Sequence, residues 1–66
     1  MELVEAIGHA VRRARRDAGL TQVQLAELAE TSERTVRDIE RGTGSPSLAV
    51  VVRTAGVLGL TIEARP

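Results

Sequence analysis

Apolar residues recur along this chain in four helical stripes followed by one alternating tail. Leu3, Ile7, Val11 and Ala14, flanked by Ala10 and Ala18, share one side of a helix predicted over about 2–18. Glu2 and Glu5 stand in its first turn and arginines in its last turns, as the helix dipole favours, and Gly19 ends it. Leu25, Ala26 and Ala29 predict a second helix over about 22–30, with Thr21 as N-cap and Gln24 completing a capping box. Val36 and Ile39 predict a third over 33–41, capped by Ser32 and stopped by Gly42.

The second and third helices are short, and only about three residues of turn separate them. They must cross steeply, which is the helix-turn-helix arrangement. After the turn residues Thr43, Gly44, Ser45 and Pro46, Ser47 caps a fourth helix over about 48–58, and Gly59 ends it. That helix is apolar nearly all round. Leu48, Val51, Val52, Ala55 and Leu58 are expected to face the chain's own core. Val50, Thr54 and Val57 form a second stripe, assigned to a partner subunit. Three successive valines and Gly56 also admit a strand over 49–53, although Ser47 and Gly59 frame a helix of ordinary length. Leu60 to Ala64 alternates apolar and polar, the period of a strand. One strand cannot stand alone, so Leu60 and Ile62 are expected to pair across a twofold axis with a second copy; the other reading is a frayed tail. The expected organisation is a domain over 1–59 and a dimerisation tail over 60–66.

Composition narrows the function. The chain has 66 residues and no Phe, Trp, Tyr or Cys. Such a small core built from aliphatic residues alone makes association with a second copy expected. Thiolate metal sites and disulfides are excluded, and the single histidine, His9, lies off the apolar stripe and cannot build a zinc site. No apolar run approaches the roughly 20 residues needed to span a membrane. No signal peptide is legible at the acidic start, so a cytoplasmic location is expected. There is no nucleophile–base pair and no glycine-rich phosphate loop, so neither catalytic residues nor a cofactor are expected.

Formal net charge is zero, but all nine basic residues are arginines, and they cluster. Arg12, Arg13, Arg15 and Arg16 end the first helix; Arg34, Arg37 and Arg41 lie on the third. Local positive faces matter more than the sum. Arg12, Arg13 and Arg16 are equally well read as a solvated face. Arg15 differs, because it continues the inward stripe from Ile7 and Val11. A charge there needs a partner, and Glu40, on the inward side of the third helix, is the natural one. Glu33, Arg34, Arg37, Asp38 and Arg41 make the outer face of the third helix. They can be salt-bridged pairs, Glu33–Arg37 and Arg34–Asp38, or a face that reads base edges.

These residues together resemble the helix-turn-helix of the Cro/C1-repressor (XRE-like) family. The likeness rests on Arg15 before Gly19, Leu20-Thr21-Gln22, Leu25-Ala26, the Ser32 cap, Val36, Ile39-Glu40-Arg41-Gly42 and Pro46-Ser47-Leu48. The resemblance implies an all-α, four-helix domain and an Arg15–Glu40 pair. It also implies a sequence-specific repressor that binds a palindromic operator in double-stranded DNA as a homodimer. The third helix would enter the major groove with Arg34 as first candidate for guanine, and Gln22 would touch phosphate at a helix start. Glu33 and Asp38 either accept from cytosine or hold Arg37 and Arg34 in position. Arg41 and Thr43 are further backbone candidates. One departure is Glu30, where the family often has glycine. It must accept a left-handed backbone with some strain, or lengthen the second helix. The segment Gly59–Arg65 is similar to the strand of HipB-like antitoxins, which implies a HipA-like kinase toxin as a second partner. A module that neutralises a partner protein without reading DNA is the competing class.

Overall fold

In the computed structural model, which describes residues 2–63 and 65, the chain folds as four helices. They are α1 (Glu2–Asp17), α2 (Gln22–Leu28), α3 (Glu33–Arg41) and α4 (Leu48–Val57). The starts of α2, α3 and α4 have the caps expected of them. The Thr21 hydroxyl accepts from the Gln24 amide at 3.0 Å, and the Gln24 side chain accepts from the Thr21 amide at 2.8 Å. Ser32 and Ser47 accept from the Thr35 and Val50 amides, both at 3.1 Å.

All four helices end in one way. The chain turns left-handed at Gly19, Glu30, Gly42 and Gly59, and the following amide bonds back to a carbonyl five residues earlier. Glu30, at φ 55°, is the one residue of the four that has a Cβ to accommodate. This turn ends α2 at Leu28, two residues before the expected end, so the family departure is met by a left-handed glutamate and not by a longer helix.

Val11, Leu25, Ala26, Ala29, Val36, Ile39 and Ala55 form the buried core, with Ile7, Val50, Val51, Leu58 and Leu60 packed around it. α3 lies against α1 and α2, and α4 covers α2. Gly8 sits where α1 meets α3. A Cβ there would lie 2.5 Å from the Ile39 carbonyl oxygen, so the two backbones approach as closely as they do only because position 8 has no side chain. Leu3, expected on the inward stripe, is 70% exposed, because α1 begins beyond the edge of the core.

Two further sequence expectations need correction. α4 is a helix and not a strand, but it is rotated from the assumed phase. Thr54, assigned to a partner subunit, is fully buried, and its hydroxyl donates to the Val50 carbonyl at 2.8 Å. That bond lets a polar side chain face the core without an unsatisfied group. Val50, assigned to the partner too, packs against the core. Leu48 and Val52, assigned inward, are exposed instead. A helix apolar nearly all round offers no periodicity from which its phase can be read. The second correction concerns the tail. Among the described residues there is no strand. Leu60 packs on the core with its amide bonded to Ala55, Ile62 is half-buried, and Ala64 and Pro66 lie outside the described residues. A ladder needs a second strand, and a single copy of the chain supplies none.

Candidate nucleic-acid interface

The geometry of the helix-turn-helix is held by one carboxylate. Arg15 donates through Nε to Glu40 Oε2 at 2.7 Å and through Nη2 to Oε1 at 3.0 Å, while Nη1 reaches the Leu20 carbonyl at 2.8 Å. Gln22 Nε2 adds a further donor to Glu40 Oε1 at 3.2 Å. The end of α1, the start of α2 and the end of α3 thus meet on Glu40. The side chains are 12% and 3% exposed for Arg15 and Glu40. The hydrogen bond to Glu40 raises the Arg15 pKa from its ordinary value despite the opposing effect of burial. The pair expected from the apolar stripe is present, with a bidentate geometry that favours Arg over Lys.

This lock opens onto a cleft lined by Arg12 of α1, Gln22 and Val23 of α2, and Glu33, Arg37 and Arg41 of α3. Gln22, expected at a phosphate, turns its amide nitrogen toward Glu40, and the first amides of α2 stay outside the helical ladder beside it. Arg41 is exposed, as is Arg12. Sequence reasoning left Arg12 undecided. Its position three residues before Arg15 places it on the flank of α1 nearest the cleft, the one signal that distinguishes it from Arg13 and Arg16.

On the outer face of α3 the two expected ion pairs have different fates. Glu33 and Arg37 approach to 3.4 Å. Arg34 and Asp38 form no ion pair among the described residues; the order acid before base suits the helix dipole, and this pair has the reverse order. Asp38 faces the loop after α3, where its Oδ1 accepts from the Thr43 hydroxyl at 3.3 Å. Gly44 lies so close that a Cβ there would be 2.7 Å from Asp38 Oδ2. Asp38 and Thr43 therefore shape the loop together. Arg34 stands exposed, beside the loop residues Ser45 and Pro46.

Two contributors were not singled out in the sequence. Gly8 sets the α1–α3 distance, and Arg53 of α4 reaches the turn between α2 and α3, donating to the Ala29 carbonyl at 2.6 Å. An isolated glycine in a helix and an arginine on an apolar helix were the only visible signs. Among the described residues no group of three or more His, Cys, Asp or Glu side chains stands where it could hold a metal ion, and no helix is long and apolar enough to cross a membrane.

The arrangement offers a helix with three outward arginines, a second helix start beside it and a rigid lock between them. It is suited to a polyanion with a groove. Comparison with known proteins agrees. A helix-turn-helix domain family matches residues 6–66. The immunity repressor protein of Bacillus phage phi105 is 41% identical over 58 residues, which is 88% of this chain and 40% of the phage protein. An uncharacterized HTH-type transcriptional regulator of Methanothermobacter thermautotrophicus is 41% identical over 49 residues, 74% of this chain and 71% of that protein. The chain thus spans about two fifths of the length of the phage repressor it matches. By the extent of these matches and by its own Arg15–Glu40 lock, this chain belongs to the Cro/C1-type helix-turn-helix family of DNA-binding regulators.

Proposed function

We propose that the chain is a sequence-specific transcriptional repressor that binds a palindromic operator as a homodimer. The observation that carries this reading is the outer face of α3. Arg34 is exposed and in no ion pair among the described residues, and Arg37 and Arg41 line the same cleft as the start of α2. α3 enters the major groove with Arg34 on guanine O6 and N7. Arg12, Arg41 and the start of α2 hold phosphates and set the register. Glu33 restrains Arg37, and Asp38 restrains the loop.

A single module with so few contacts binds weakly, and two copies read half-sites about one helical turn apart. The corrected phase of α4 offers the surface for the second copy. Its outward strip is Leu48, Ala49, Val52 and Gly56, with Val57 at the margin and the exposed Arg53, turned toward the α2–α3 turn, between Ala49 and Gly56. The methyl of Ala49 and the bare backbone of Gly56 let another helix come close. In this proposal residues 1–59 read DNA, and the tail with Ile62 borders the contact between copies. A HipA-like kinase partner is not part of it, since that lead depends on a strand in the tail.

Arg34→Ala tests the reading by binding assays on a panel of single-base variants of the best operator. A loss of about 1–3 kcal/mol with relaxed discrimination at one base pair is expected. Equal weakening on every duplex would reduce Arg34 to a phosphate contact.

A further inference from the structure

The turn between α2 and α3 carries strain and a clamp at the same place. Glu30 holds φ 55°, which a side chain disfavours. Arg53, one turn into α4, donates through Nε to the Ala29 carbonyl at 2.6 Å and through Nη2 to the Glu30 carbonyl at 3.4 Å. The Glu30 amide bonds to the Glu27 carbonyl and the Thr31 amide to the Ala26 carbonyl. Those bonds close the end of α2, and among the described residues no backbone amide outside the helical ladders donates to the Ala29 or Glu30 carbonyl. A cation at that helix end also suits the dipole. Arg53 itself is anchored by the buried Thr54 and Ala55 beside it. Among the described residues it has no acidic partner.

We propose that Arg53 is a positioning residue for DNA recognition: it holds the left-handed turn at Glu30 and so fixes the angle between α2 and α3. The proposal rests on the DNA reading above. Grip by the start of α2 and readout by α3 demand different parts of one duplex at once, so the angle between these helices decides whether both engage. Glycine at position 30 would favour the turn without help. With glutamate there, the turn is held from outside by an arginine on another helix. Arg53 and Glu30 are therefore energetically coupled, although the Glu30 side chain takes no part in the contact.

The test is a double-mutant cycle of Arg53→Ala and Glu30→Gly in the full chain. Affinity is measured for the duplex enriched from a random pool and for an unrelated duplex, at a temperature where circular dichroism shows every variant folded. Arg53→Ala is expected to reduce the preference for the enriched duplex about tenfold, the scale of a lost hydrogen bond to a charged group. Glu30→Gly alone leaves the preference unchanged, and in its background Arg53→Ala has little effect. Binding to the unrelated duplex and its salt dependence stay the same, because they depend on phosphate contacts. Should Arg53→Ala not fold, Arg53→Lys carries the same cycle, with a smaller loss expected because an ammonium lacks the planar fork.

Equal losses with and without Glu30→Gly would overturn the clamp while leaving the DNA reading intact. So would a salt slope reduced by about one on both duplexes, the mark of a direct phosphate contact. Failure of the unsubstituted chain to prefer any duplex would overturn both.

Discussion

Glu40 is the residue on which the geometry of the helix-turn-helix depends. It accepts three hydrogen bonds from two other helices and is nearly enclosed. Its removal leaves the Arg15 guanidinium charged and largely out of water. Glu40→Ala is expected to cost about 3–5 kcal/mol, most of the stability of a domain this small. Thermal melts followed by circular dichroism check this; an unchanged midpoint would show that the pair is ornamental. Arg15→Met together with Glu40→Leu should recover much of the loss, since no lone charge then remains buried. The sign of the pH effect follows from the raised Arg15 pKa. A basic group held above its unfolded value contributes fully below that value and loses its effect only as pH rises through the higher, folded one. Melts from neutral to mildly alkaline pH should show no loss from Arg15. The pair was legible in the sequence because a charge on an apolar stripe requires a counter-charge. Gln22 joining it was not, because that contact depends on how closely α1, α2 and α3 meet.

At the scale of elements, the caps and stops were written locally and could be read locally. Thr21, Ser32, Ser47 and the left-handed turns act within a few residues of themselves. What could not be read depends on distant parts of the chain. The phase of α4 follows from which of its apolar sides meets α2, and Thr54 could take the inward side by bonding its own helix. Gly8 was unremarked because a glycine in a helix has a visible purpose only once α3 lies across it. Gly8→Ala should destabilise the fold by about 1–3 kcal/mol or more, since the new methyl meets backbone that cannot swing aside. A denaturant titration checks the prediction, and a variant as stable as the parent would mean that α1 and α3 separate freely.

At the scale of the whole molecule, the core is small and aliphatic, and Leu3, Leu28, Leu48 and Val52 remain exposed on a chain of 66 residues. The proposed second copy would cover part of that surface. Val52→Glu, in the middle of the outward strip of α4, should shift the chain to monomer in sedimentation equilibrium and weaken operator binding without unfolding it. A dimer that persists would move the interface elsewhere. Zero net charge says little about any one face: Glu2 and Glu5 stand at the start of α1 and Glu27 and Glu30 around the end of α2, while Arg12, Arg15, Arg37 and Arg41 outnumber Glu33 and Glu40 at the cleft.

In the proposed complex α3 reads base edges while α1 and α2 hold the backbone. Selection of duplexes from a random pool by the purified chain, followed by affinity measurements across a salt series, tests it most directly. Enrichment of an inverted repeat with half-sites about 10 base pairs apart is expected. Affinity should fall steeply with salt, and a preference for one base pair should disappear in Arg34→Ala. A pool that emerges unenriched, or binding indifferent to salt, would contradict it.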